Sequence, residues 1–132
     1  MKNVLVVLAA AVSMVGCGGG LCERSEAAQT KFFAGKSECS YTEMSNGASL
    51  TVKVSKGTTS TSTCNMNISK CTSADQAVLE KYLKCAEAAP ACATGSEKAA
   101  ADAWGLCVKE LVTINGTTIM SNLSADCAVA FK

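Results

Sequence analysis

The sequence contains no histidine. This absence removes the imidazole base of the usual Ser-His and Cys-His nucleophile systems. It also removes the commonest nitrogen ligand of a zinc site. There is no C-x-x-C, no P-loop and no G-x-G-x-x-G, so thioredoxin-like redox chemistry and the common phosphate-binding loops have no support. Aromatic residues are scarce: Phe32, Phe33, Tyr41, Tyr82, Trp104 and Phe131 are all there are. Proline occurs once, at Pro90. Neither sign of charge is in excess. Apart from Lys2, 11 basic and 11 acidic side chains balance, without a basic run, which excludes the usual nucleic-acid footprint. Carboxylate pairs remain possible in principle. Glu23/Glu26 and Glu80/Glu87 lie in helical stretches beside lysines and read as solvated faces rather than as a glycosidase-type pair.

What the chain has in excess is cysteine, nine in 132 residues. Exported domains too small for a large core use disulfides, whereas cytosolic thiols are kept reduced. Zinc is the competing use, but only one short spacing exists, Cys17 to Cys22; the later cysteines lie farther apart than paired C-x2-4-C ligands, and no histidine completes a set. The spacing therefore predicts disulfides and no metal or other cofactor.

"MKNVLVVLAAAVSMVG" has Lys2 followed by an apolar run from Val4 to Val15. A positive start followed by a short apolar segment is the layout of a secretory signal, and about 20 residues would be needed to span a bilayer. "AVS" at 11–13 offers an ordinary cleavage site after Ser13. "MVGC" at 14–17 offers another. Val15, Gly16 and Cys17 resemble the lipobox of bacterial lipoprotein precursors, with Met14 in place of the usual Leu. The resemblance implies cleavage between Gly16 and Cys17 and lipid attachment at Cys17. It makes residues 1–16 a signal peptide, 17–20 an anchored glycine tether and 21–132 one disulfide-rich domain. It also implies a bilayer as partner. Gly18, rather than the Asp that marks inner-membrane retention in such proteins, points to the outer membrane, on its periplasmic or surface face.

Cysteine parity separates the two cleavage sites. Cleavage after Ser13 leaves an odd cysteine, which an exported protein must pair between chains or leave free. Lipidation of Cys17 leaves eight framework thiols: Cys22, Cys39, Cys64, Cys71, Cys85, Cys92, Cys107 and Cys127.

The mature region reads as α+β. Residues 21–36 predict a helix stopped near Gly35, with a stripe of Leu21, Ala28 and Phe32 that leaves Phe33 pointing elsewhere. Leu50, Val52 and Val54 alternate with Thr51 and Lys53, and Asn46-Gly47 precedes them as a hairpin turn. That turn sets Tyr41 opposite Val52 and Glu43 opposite Leu50. Lys56-Gly57 and the threonines of 59–65 predict a third strand, completing an antiparallel meander. Ser73 with Gln76, and Thr94 with Glu97, predict capped helices over 73–89 and 96–113. If these form an antiparallel hairpin, Cys71 meets Cys107. Trp104, on the Ala100–Leu111 stripe, reads as core. Asn115-Gly116 is a turn, and Ser124 caps a short last helix.

The inventory favours a lipid-anchored, non-enzymatic binding or envelope-interaction module with an unidentified protein partner. An inhibitor protecting the envelope from a hydrolase is a narrower alternative. A carboxylate-only enzyme is the other.

Overall fold

The computed structural model describes residues 18–58 and 60–131 of the chain. The signal segment, Gly16 and Cys17 lie outside the described residues. Helix α1 spans Gly18–Phe33. It buries Leu21, Cys22, Ser25, Ala28 and Phe32, a stripe at helical spacing, and Phe33 is equally buried. The expectation that Phe33 turns away is therefore corrected. Its ring meets Phe32 edge-on at 4.9 Å and lies 6.3 Å from Trp104, because helices pack on both sides of the last turn of α1.

Strands β1 (Glu38–Ser45) and β2 (Ala48–Ser55) form an antiparallel hairpin. The register places Tyr41 opposite Val52 and Glu43 opposite Leu50, as the alternation requires. Asn46 and Gly47 both take positive φ (51° and 79°), the combination a two-residue turn demands.

The third strand does not form. Residues Thr61–Asn67 make helix α2, followed by a 3-10 turn at Ile68–Lys70. The hydroxyls that suggested strand propensity act locally instead: Ser60 Oγ caps α2 by accepting from Thr63 N at 3.1 Å. Cys64 and Ile68 are then buried on one side of α2, against the core. Among the described residues there are two separate two-stranded sheets, not a meander.

Helix α3 spans Ser73–Ala88. Its capping box is one position earlier than predicted: Thr72 is the cap and Asp75 the reciprocal partner, rather than Ser73 and Gln76. Helix α4 spans Glu97–Val108, ending five residues short of the expected boundary. The Thr94–Glu97 box is also absent; Ser96 is the N-cap and makes no side-chain capping bond. After α4 the β-branched run Val112–Ile114 goes into a second hairpin, β3 (Val112–Asn115) and β4 (Thr118–Ser121). Helix α5 (Ala125–Ala128), capped by Ser124, passes into a 3-10 turn at Val129–Phe131.

The core centres on Trp104. Its ring lies 4.4 Å from Phe32 and 6.1 Å from Tyr82. Among the described residues there are four disulfides: Cys22–Cys64, Cys39–Cys92, Cys71–Cys127 and Cys85–Cys107. The expected Cys71–Cys107 bridge is thus wrong. Cys85 and Cys107 occupy the last turns of α3 and α4, so those ends meet, with Cα atoms 5.3 Å apart. An antiparallel hairpin would have matched a last turn with a first. Cys71 instead leaves the 3-10 turn in extended backbone (φ −75°, ψ 129°) and reaches α5.

Candidate functional site

The chain emerges toward Cys17 from the first turn of α1, which includes Gly18 to Gly20. The position of that turn follows from its neighbours. Cys22 is bonded to Cys64, Asn65 Nδ2 donates to Glu23 Oε1 at 3.4 Å, and Thr61 Oγ1 donates to Glu26. Helices α1 and α2 therefore run antiparallel. Continuing along α2 brings the Ile68–Lys70 turn against the start of α1, and α5 packs on the same turn.

The ionisable side chains are largely occupied in structural contacts. Arg24 forks between two carboxylates. Its Nε and one terminal nitrogen donate to Glu87 at 2.7 and 3.1 Å, and the other donates to Glu80 at 2.9 Å. These bonds, chiefly those to Glu87, raise the guanidinium pKa still further, and Arg24 holds the Glu87 carboxyl below its usual range. Glu80 and Glu87 are brought together, but by a cation that both neutralise. Glu23 and Glu26 stay apart from them, on the α2 side of α1.

Asp75 is the buried acid, 4% exposed. Its carboxylate accepts from Ser124 N at 2.7 Å and Ser124 Oγ at 2.8 Å. It also accepts from Thr72 N and Oγ1, both at 2.8 Å. These donors, the Ser124 amide foremost, lower its pKa from 3.8 to about 2 against the opposing effect of burial. A third cluster lies on the β1–α4 face. Lys98 Nζ sits 3.1 Å from Glu43 and 3.2 Å from Asp102, with the Tyr41 ring centroid 4.9 Å away. Glu43 first and Asp102 second raise its pKa.

A cavity of about 220 Å³ lies between α1 and α2, lined by Glu26, Gln29, Lys56 and the Cys22–Cys64 bridge among others. Gln29 Oε1 already accepts from Gly57 N at 3.1 Å across it. No group of three metal-ligating side chains stands together among the described residues.

The two hairpins differ in chemistry. β1–β2 carries Glu38, Glu43 and Lys53, and ion pairs join Lys53 to Glu38 and Lys98 to Glu43. β3–β4 carries no charge. From Leu111 to Ala125 the sequence has no Asp, Glu, Lys or Arg. Its register sets Ile114 directly opposite Ile119 and Thr113 opposite Met120. Ile114 is 60% exposed, Ile119 68% and Met120 49%. Gly116 turns the chain with φ 62°, suited to the first position of a two-residue loop. Asn122 fixes the base: its amide donates to Leu111 O at 2.8 Å and its side chain to Glu110 O at 3.0 Å.

The sequence suggested a turn at Asn115-Gly116, one position before the Gly116-Thr117 loop, and missed the strands around it, because the helix was carried through Thr113. The available signal was the β-branched Val112–Ile114 run beside an uncharged Thr118–Ser121 mirror.

Comparison with family models, curated proteins and solved structures finds no match to this chain.

Proposed function

We propose that the protein is a lipid-anchored envelope lipoprotein whose folded part is a non-enzymatic binding module. One observation carries the anchor. The eight cysteines after Cys17 pair completely among themselves, so Cys17 alone is left over, at the lipobox-like Val15-Gly16-Cys17. An acylated Cys17 accounts for both its position after the apolar run and the even number of framework thiols. Acyl chain contributes about 0.8 kcal/mol per buried CH2, and more than one chain makes attachment stable. No helix among the described residues is long and apolar enough to cross a membrane.

The binding-module reading is supported by how the acids are used. Glu80 and Glu87 neutralise Arg24, Asp75 joins α3 to α5, and Glu26 bonds Thr61. The sequence has no histidine, the commonest general acid-base residue, and these carboxylates are engaged in structural bonds instead.

Fractionation of cells expressing Cys17→Ala tests the anchor. The variant is expected in the soluble fraction or retained as an unprocessed precursor, and a processed protein that stays with the membrane without Cys17 overturns the reading.

A further inference from the structure

We infer that the β3–β4 hairpin is a second membrane contact, its Ile114, Ile119 and Met120 side chains seated in the headgroup region of the bilayer that holds the lipid anchor. The inference rests on the anchored reading above.

Exposed hairpins are ordinarily protected from partners by charge or proline along their edges. This one has neither, over a stretch running from Leu111 to Ala125. A two-stranded hairpin of four-residue strands is marginal in water by itself. Here its two isoleucines pair across the strands and face outward instead of onto the core. Met120 projects from the opposite face, since Ile119 and Met120 are successive strand residues. One face thus sets Val112, Ile114 and Ile119 beside Ser121, and the other sets Met120 among Thr113, Asn115 and Thr118. This uncharged mixture suits immersion of the tip in a medium where apolar chain and polar headgroup meet.

Placement selects the bilayer as that medium. The start of α1 and helix α5 both pack on the Ile68–Lys70 turn. Cys71–Cys127 and Asp75–Ser124 fasten that region to the chain just after β4. The β4 side of the hairpin base is thus tied, through Ser124 and α5, to the turn on which the start of α1 packs. Cys17 immediately precedes Gly18 in the chain. An acyl group there would bring this region to the lipid surface. The four-residue strands give the hairpin a reach of about 13 Å from that base. Its unpaired strand edges forbid deeper insertion, because hydrocarbon leaves those amides and carbonyls unsatisfied. Immersion therefore stops near the headgroup boundary, about 5–10 Å deep.

Ile119→Trp tests this in the full chain, isolated from cells and reconstituted in phosphatidylethanolamine/phosphatidylglycerol vesicles with and without brominated acyl chains. Wild type supplies the background, because its sole tryptophan is Trp104, in the core. Leu50→Trp on the other hairpin is the exposed control. The emission added by Ile119→Trp is expected to shift to the blue and to fall about twofold in brominated vesicles, as interfacial depth requires. That added by Leu50→Trp stays red and unquenched. Unquenched emission from Ile119→Trp overturns the hairpin inference. A blue shift that grows with protein concentration but resists bromine also overturns it, since a second copy then covers the hairpin. The mass of the same preparation reports the anchor separately. Acylated Cys17 with no quenching defeats only the hairpin, whereas quenching with an unmodified Cys17 defeats only the anchor.

Discussion

Asp75 and Ser124 are 49 positions apart in the chain, yet the Asp75 carboxylate accepts the Ser124 amide at 2.7 Å. One buried side chain thereby completes the capping box of α3 and fixes the cap of α5. The consequence for function is positional, because the β3–β4 hairpin lies between α4 and this junction.

Asp75→Asn is expected to destabilise the protein by about 2–4 kcal/mol. The amide retains one acceptor oxygen but offers donors where Thr72 and Ser124 also donate. Urea unfolding at pH 7 measures the loss.

The same group sets a pH dependence. Its folded pKa, about 2, lies below the ordinary 3.8, so the unfolded chain takes up the proton first as pH falls. The contribution is complete above about pH 4 to 5 and lost as pH falls through about 2. Wild type and Asp75→Asn should therefore converge in stability across that window, as followed by urea midpoints.

Trp104→Ala removes the ring that touches Phe32 and Tyr82. A cost of about 3–5 kcal/mol is expected from calorimetry or denaturant melts. Arg24→Ala should cost under about 1 kcal/mol despite its two ion pairs, because all three side chains are more than a third exposed.

A non-reducing peptide map should recover Cys22–Cys64, Cys39–Cys92, Cys71–Cys127 and Cys85–Cys107. Replacing Cys71 and Cys127 together opens a loop spanning 56 residues, against 22 for Cys85 and Cys107. Loop-closure entropy gives costs of about 4 and about 3 kcal/mol, so the longer bridge should be the more damaging to lose.

Local features were legible in the sequence where local chemistry decides. Asn46-Gly47 determines its hairpin because both residues must take positive φ, and strand alternation then sets the register. Ser124 caps α5 as read. Trp104 lies in the core, as its helical neighbours indicated. The misreadings share a physical origin. Threonine and serine at 60–63 suit a strand by propensity, but Ser60 uses its hydroxyl to start a helix whose burial against the core then decides the matter. Disulfide pairing depends on which helix ends meet, and nothing at Cys85 or Cys107 encodes that their last turns do. The Asp75–Ser124 contact is similarly invisible, since a tertiary partner so far along the chain leaves no periodicity. At the candidate site, the lack of charge from Leu111 to Ala125 was written in the sequence, but the outward exposure of Ile114 and Ile119 required the fold.

The central claim is that Cys17 is set apart from the eight paired cysteines by carrying lipid. Intact-mass and N-terminal peptide analysis of protein extracted from membranes tests it most directly. The account predicts a mature chain beginning at Cys17 with a diacylglyceryl group on its sulfur. A chain beginning at Met14, with Cys17 unmodified, would contradict it.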